Sequence, residues 1–556
     1  MFGPEQIEFL KEKQYLQGEE TLEERINSIV AVVKSYEDKY SEGLSLRIKD
    51  YIERQILSLS TPQFANLGRG TGELPCSCNI VGVKNSIAGI YYAHGEEAIL
   101  SKLGAGVGVD YTQVYDKGTY IEEGFYTNPK TDWIEDSIRT GQKVSQGSKR
   151  RGYVVPFISI EDKELDDILG RIDRGNSDKT DPFVSNNVGV VLPIGFRDKI
   201  KNGDPEARRR ILEVLNHRKK EGKVYLVDVE NMNKNQSPVY QRNGDIVSQT
   251  NICTEAVTPF YEDKTFACIL SSLNLMHWDE IRNNPQIIKD SIMFLDITVE
   301  EYIRLTENVP FLEKARRSAI EKRDIGLGTL GFHDYIQSKG LAFGDVGCRA
   351  LNKQIYSTIR KYVDETTEEL AINLGSPKMC AEAGLVRRNV STMMIAPNKT
   401  TSFIAQTTEG IEARRSNYTI LALAGIQSVQ KVKYLQDVLV SIGKDTNETW
   451  DSIMINRGSV QHLDFLTDRQ KDIFKTADEI SPKDIIDLAA DRQVYIDMAQ
   501  SINLFNRPNY TLKDIYDIHM YAFDKGIKTL YYFYPQAHAV LEKEGEKWDT
   551  CVSCAD

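Results

Sequence analysis

The sequence predicts an α/β fold built on a largely parallel sheet or barrel. From residue 61 onward, short apolar runs alternate with helical stretches, the pattern of βαβ units. The runs are apolar at successive positions, as expected of strands covered on both faces. The chain has 556 residues, 41% of them hydrophobic and 27% charged, an ordinary globular composition with length for several average domains or one large α/β domain with additions.

The elements follow in order. Residues 5 to about 58 read as helices. Thr21 and Glu24 stand at capping-box spacing, and Ile26, Ile29, Val30 and Val33 follow at helical intervals. Leu46, Tyr51, Ile52, Ile56 and Leu59 form a second stripe. Strands are predicted over 79–83, 106–109, 153–158, 188–192 and 223–227, with helices over 96–103, 163–171 and 206–220 between them. The second half is richer in helix, at 290–305, 349–374, 428–441, 482–502 and 512–525. A last strand is expected over 529–534, before a tail of mostly charged or small residues, 541–556. No repeat or linker divides 61–535.

Composition excludes some function classes. A net charge of −12 argues against broad binding to nucleic acid or an anionic membrane. There is no run long and apolar enough for a transmembrane helix, and the charged N-terminus has no signal core, so a cytoplasmic protein is expected. Eight cysteines are too sparse for a disulfide scaffold. The seven histidines form no HxxxH or HExxH pattern, and no metal site is expected.

Four groups of residues carry chemistry. Cys551 and Cys554 form a terminal CxxC, open to three readings: a dithiol shuttle, half of a zinc site, or an inert tail. In Asn251-Ile252-Cys253-Thr254-Glu255, extended alternation would place amide, thiol and carboxylate on one face. That face would serve a Cys radical or nucleophile with a nearby base; taken alone, the pentapeptide better fits a buried structural cysteine beside surface polar residues. Tyr531-Tyr532 reads as packing on opposite strand faces or as a redox relay. Among the glycine-rich segments, Gly104–Gly108 lacks dinucleotide spacing. Ser145–Gly152 and Ala396–Ser402 suit anions, or are a basic turn and an ordinary cap.

In this order, with Ser77-Cys78, Ala267–Leu275, Lys528–Tyr532, Gly222–Tyr225 and Gly410-Ile411-Glu412, these groups resemble the large, catalytic subunit of class I ribonucleotide reductase. The likeness runs from Glu20 to the terminal CxxC, and Gly458–Leu466 is similar to phage-type members. The resemblance implies a ten-stranded α/β barrel of two five-stranded halves, with a central finger loop carrying Cys253. It divides the chain into a helical region over 1–60, a barrel over 61–540 and a redox tail over 541–556.

The resemblance also implies roles. Cys253 matches the thiyl radical, Glu255 the base at the ribose 3′-hydroxyl and Asn251 the amide that holds the ribose. Cys78 and Cys268 match the dithiol that becomes a disulfide, and Cys551 and Cys554 the tail that reduces it. Tyr531 and Tyr532 match the relay to Cys253. Thr61, Ser77, Asn398, Lys399, Thr400, Thr401 and Ser402 match the substrate-phosphate site. Asn85, Ser145, Gln146, Lys149 and Arg150 match the effector site, where a dNTP or ATP would bind. The substrates implied are ribonucleoside diphosphates, reduced to 2′-deoxyribonucleoside diphosphates. No cofactor is expected on the chain itself; a small, ferritin-like subunit with a dinuclear metal centre would supply the radical. Thioredoxin or glutaredoxin would recharge the tail, and a homodimer is the expected assembly. With 77 residues ahead of Cys78, no N-terminal ATP cone and no dATP shut-off through one are expected. A cobalamin-dependent class II reductase and an inactive nucleotide-binding paralogue are the alternatives.

Overall fold

The computed structural model describes residues 2–121, 126–144, 152–173, 180–423 and 426–535. It begins with three helices, α1 (Pro4–Glu12), α2 (Leu22–Tyr40) and α3 (Leu44–Glu53). At the start of α2, Thr21 Oγ1 accepts from the Glu24 amide at 3.2 Å and Glu24 Oε2 accepts from the Thr21 amide at 2.8 Å. This reciprocal pair satisfies two otherwise orphaned donors. The stripe expected on the following helix is corrected. Leu44, Ile48, Tyr51 and Ile52 are buried, whereas Leu46 is 71% exposed. Spacings of four and three residues share a helix face, and Leu46 falls opposite. Ile56 and Leu59 lie past the end of α3, with Leu59 in strand β1 (Leu57–Leu59). Helix α4 (Thr61–Asn66) follows.

Five strands then pair in parallel, in chain order: β2 (Cys78–Gly82), β3 (Gly106–Asp110), β4 (Val154–Ser159), β5 (Val188–Leu192) and β6 (Val224–Asp228). Strands β7 (Val247–Thr250) and β8 (Val257–Pro259) form an antiparallel hairpin. Strand β9 (Phe266–Cys268) lies antiparallel to β2, and β10 (Leu270–Asn274) pairs in parallel with β11 (Gly326–Leu330). A hairpin of β12 (Tyr418–Leu423) and β13 (Ile426–Lys431) is separate, and β14 (Leu504–Asn506) pairs with β16 (Phe533–Pro535). Strand β15 (Thr529–Leu530) lies antiparallel to β6.

Backbone bonds close the ring between β11 and β15. Leu327 N donates to Thr392 O (2.9 Å), Ile395 N to Ala499 O (3.2 Å), Ser501 N to Ile395 O (2.9 Å) and Tyr531 N to Ile502 O (2.9 Å). The second half is therefore β9–β10, β11, the segments 391–395 and 498–502, and β15. It meets the parallel half antiparallel at β2/β9 and at β6/β15. This is the ten-stranded α/β barrel of two five-stranded halves.

The strands are apolar throughout because each serves two cores. On β4, Val155 and Phe157 join the interior cluster while Val154 and Ile158 join the outer one. On β6, Tyr225 and Val227 point in and Val224 and Leu226 out. The outer cluster also takes Phe9, Leu10, Ile26 and Ile29 of the leading helices. On β3, Val107 and Val109 are outer, and the inward position between them is Gly108. A Cβ at Gly108 would lie 2.7 Å from Thr250 O and 3.0 Å from Asn251 Cα. The β7–β8 hairpin thus runs against bare backbone, which is the finger loop inside the barrel. Close approach of the finger accounts for Gly108.

Several element boundaries differ from expectation, among them the helix expected over 96–103, which begins at Ile87 and ends at Lys102. Residues 428–431 belong to β13, and the helix runs over Lys433–Ser441. The helix expected over 482–502 ends at Gln493, because the segment beyond it supplies barrel pairing to Met393 and Ile395. The run 529–534 is two short strands with Tyr531 and Tyr532 between them. Among the described residues, no helix is long and apolar enough to cross a membrane.

Candidate active site

The finger loop brings Asn251 and Glu255 together by a turn, not by the extended alternation expected. Thr254 sits in the left-handed region at φ 67°. Asn251 Oδ1 accepts from the Ala256 amide (3.0 Å), and Thr254 N donates to Asn251 O (3.1 Å). This folds Asn251 back onto Glu255, and Asn251 Nδ2 donates to Glu255 Oε1 at 2.9 Å. The far side of the loop is tied to the second barrel half. Ala499 N donates to Glu255 O (2.8 Å), Thr529 Oγ1 to Thr254 O (2.8 Å), and Ser501 Oγ to Glu255 Oε2 (3.0 Å) and to Cys253 O. Burial pushes the Glu255 carboxyl up to about 7, against the lowering effect of its hydrogen bonds from Asn251 and Ser501.

A pair of cysteines, Cys78 and Cys268, meets the loop from the barrel wall. Cys78 and Cys268 are direct cross-strand partners in the β2/β9 ladder. Antiparallel partners have Cα atoms about 4.5–5.5 Å apart, inside the window a disulfide requires. Both thiols are free. Asn251 Nδ2 reaches Cys78 Sγ at 2.9 Å, so one amide touches both the dithiol and the carboxyl. The hydrogen bond with Cys78, and then burial, hold the Cys268 thiol well above its ordinary value. Cys268 Sγ also contacts Met394 Sδ at 3.6 Å. Among the described residues, one cluster has the ligand types and spacing for a metal: Cys78, Glu255 and Cys268, with ligand atoms within 4.8 Å of one another. All three belong to this dithiol and acid.

A cleft of about 470 Å³ opens onto these groups. Cys78, Cys253 and Glu255 form its inner end, and Thr61, Ser77, Asn398, Lys399, Thr400 and Thr401 line the rest. Lys399 is the single cation and Glu255 the single carboxyl on that wall among the described residues. Ser402 is set back from it; its hydroxyl donates to Lys399 O at 2.8 Å.

Behind Cys253 stands a group of tyrosines. The Tyr531 and Tyr532 rings are 4.3 Å apart between centroids and tilted by 59°, so the pair is in contact inside the barrel and is not split across two faces. Tyr225 lies 4.7 Å from Tyr531 and 5.3 Å from Tyr532, and Tyr534 lies 5.1 Å from Tyr532. The Arg415 guanidinium sits 4.2 Å over the Tyr534 ring. Cys253 is an electrostatic neighbour of both Tyr531 and Tyr225. Burial holds these two phenols well above their ordinary values, so they stay neutral at any working pH.

Sequence reading did not single out Tyr225, Tyr534, Asn187, Ser501 or Met394. Tyr225 stood in a landmark segment without a role, and the others carried no pattern signal. Asn85 is half-buried at the end of β2, with Oδ1 accepting from Tyr115 N at 3.2 Å. Cys76 is an outer-core residue whose thiol donates to Cys78 O at 3.2 Å. Cys348 and Cys380 are buried, and burial raises them to about 11 and about 12. Ser145, Gln146, Lys149, Arg150, Cys551 and Cys554 lie outside the described residues.

The chain is similar to known proteins. The family profile described as "Ribonucleotide reductase, barrel domain" matches residues 76–208, 195–382 and 378–533. The ribonucleoside-diphosphate reductase large subunit of Invertebrate iridescent virus 3 is 29% identical over 578 residues, covering 90% of this chain and 89% of the relative. That of Invertebrate iridescent virus 6 is 37% identical over 308 residues, covering 54% of this chain and 31% of the relative. Among solved structures, the Actinobacillus ureae class Id ribonucleotide reductase alpha subunit superposes with a TM-score of 0.87 at 31% identity. It covers 96% of this chain and 97% of its own.

Proposed function

This chain belongs to the ribonucleotide reductase barrel family, and from that premise we propose that it is the catalytic subunit of a class I enzyme reducing ribonucleoside diphosphates to their 2′-deoxy forms. The observation that carries the residue roles is the meeting of three parts at one cleft: the finger thiol Cys253 with Glu255, the cross-strand dithiol Cys78/Cys268, and the tyrosine array behind them.

The steps follow from that placement. A Tyr531 phenoxyl takes the hydrogen atom of the Cys253 thiol, giving a phenol and a thiyl radical. The thiyl removes the ribose 3′-hydrogen. Glu255 takes the 3′-hydroxyl proton, and the 2′-hydroxyl leaves as water. Cys78 and Cys268 supply two electrons and two protons and become a disulfide, Glu255 gives its proton back to the 3′-oxygen, and Cys253 returns its hydrogen atom to C3′. The net change is nucleotide plus dithiol to deoxynucleotide, disulfide and water. Asn251 orients the ribose and spans the acid and the dithiol. The diphosphate lies against Thr61, Ser77 and 398–402, with Lys399 as its cation. Water is kept from the radical by the barrel wall.

The tyrosine array supports class I over the cobalamin alternative, because it is a path for oxidising equivalents arriving from outside. We assign their source to a small subunit with a dinuclear metal centre. Cys551 and Cys554 would reduce the Cys78–Cys268 disulfide by exchange and be recharged by thioredoxin or glutaredoxin. Asn85, Ser145, Gln146, Lys149 and Arg150 would hold a dNTP or ATP effector near a homodimer contact. The helical region 1–60, barrel 61–540 and tail 541–556 complete the proposal, for a cytoplasmic protein.

The direct test is stoichiometry. The prereduced chain, with CDP and the small subunit, should form one Cys78–Cys268 disulfide per dCDP; product without disulfide contradicts the dithiol assignment. Cys551→Ser should allow about one turnover from the prereduced enzyme but no sustained thioredoxin-dependent turnover. Undiminished turnover refutes the shuttle. Glu255 also predicts a pH limb. The base is the ionised form and its carboxyl titrates near 7, so single-turnover rates should fall as pH drops through about 7. A flat profile there, or an unchanged limb in Glu255→Gln, removes Glu255 as the base.

A further inference from the structure

We propose that Asn187 is a positioning residue of the tyrosine array: its side-chain amide donates to the Tyr532 and Tyr225 hydroxyls and holds both oxygens in place during radical transfer. The inference rests on the reductase reading above and extends it to a residue outside the motifs of the resemblance.

Asn187 is fully buried, one residue before β5. Its Nδ2 donates to the Tyr532 hydroxyl at 3.0 Å and to the Tyr225 hydroxyl. Its backbone N donates to the Tyr153 hydroxyl at 3.1 Å. Its Oδ1, equally buried, has no partner among the described residues. The neighbouring Asn186 is a useful contrast. That amide donates to Val154 O (3.0 Å) and Asn187 O (2.8 Å), the ordinary use of a buried asparagine to satisfy backbone carbonyls. Asn187 satisfies no carbonyl and leaves its own oxygen unmet. Its orientation is set by the two phenols.

A donor suits this position for a chemical reason. Exchange within the pair is Tyr531–OH plus Tyr532–O• giving Tyr531–O• plus Tyr532–OH; one electron and one proton move together and nothing else is consumed. The first oxidation of Tyr532, by the small-subunit radical, also removes a proton with the electron. A group that accepts the phenolic proton loses its partner when the ring is oxidised. A group that donates to the oxygen keeps its bond to phenol and phenoxyl alike. Asn187 therefore keeps the Tyr532 oxygen satisfied, and its ring in stacking range of Tyr531, across the whole transfer. The groups facing Asn187 are the Tyr153, Tyr225 and Tyr532 hydroxyls; the array's nearby charges include Arg218, whose Nη1 donates to Tyr531 O at 2.7 Å, and Arg415, 4.2 Å over the Tyr534 ring.

The test uses the full chain with its small subunit and two variants, Asn187→Leu and Asn187→Asp, assayed for CDP reduction from about pH 6 to about 8.5. Asn187→Leu removes the donor and should lower kcat about tenfold to a hundredfold with KM for CDP unchanged. Asn187→Asp donates only while protonated. Its kcat should approach wild type at the acid end and fall as pH rises, a limb absent from the wild-type profile. Wild-type kcat in Asn187→Leu overturns the inference. So does a loss of the same size in both variants at every pH, accompanied by lowered melting temperature, which is a packing effect. A wild-type complex that binds CDP but makes no dCDP would instead overturn the reductase reading itself, and this inference with it.

Discussion

Cys253→Ser will lower nucleotide reduction to background, a loss on the order of a thousandfold or more, while CDP binding and melting temperature stay at wild-type levels. The substitution exchanges sulfur for oxygen at a site that is already tied down through its backbone carbonyl by Ser501 and flanked by the Asn251–Glu255 bond. The fold of the finger therefore survives. What changes is the hydrogen atom on offer. A phenoxyl radical can take hydrogen from a thiol, but an alcohol O–H is too strong a bond for it. Tyr531 would have nothing to oxidise, and a radical arriving there would return or be quenched. Residual reduction within tenfold of wild type would mean that another group starts the chemistry.

Gly108→Val will have the next largest effect, although Gly108 has no reactive atom. A side chain at 108 projects into the Thr250 carbonyl and the Asn251 backbone, at 2.7 and 3.0 Å for the Cβ alone. Backbone cannot yield as a flexible side chain can. The finger must move away from β3, and Cys253, Asn251 and Glu255 move with it. Overpacking of this kind costs about 1–3 kcal/mol of stability. A displacement of about 1 Å at the reacting groups costs about a hundredfold in rate. Activity should thus fall about a hundredfold in protein that remains folded, read by circular dichroism beside single-turnover CDP reduction. Wild-type rates in Gly108→Val would show that the finger does not lie against β3.

Much of this was legible in the sequence, for identifiable reasons. Strands β2 to β6 announced themselves because both faces are buried, so each is apolar at successive positions. Cys253, Glu255 and Asn251 were visible as a cluster because they are neighbours in the chain. Their convergence was misread as strand alternation, since the turn depends on Thr254 at φ 67°, a conformation that threonine does not advertise. The partnership of Cys78 with Cys268 is a matter of register between β2 and β9, far apart in sequence, and no local pattern encodes it. Tyr531 and Tyr532 stood out as a pair, but Tyr225 comes from β6 and Asn187 from the entry to β5. Their meeting is a product of barrel closure. Leu46 was misplaced because apolar character alone does not fix a helix face; Leu44, Ile48 and Ile52 do so together.

In the proposed mechanism the oxidising equivalent reaches Cys253 from outside the chain, through the tyrosines. This route is tested most directly by CDP reduction with the purified, prereduced chain alone, with adenosylcobalamin, and with a class I small subunit. dCDP should form only in the last, and none there when Tyr531→Phe or Tyr532→Phe replaces wild type. Formation of dCDP without the small subunit, or in either phenylalanine variant, would contradict it.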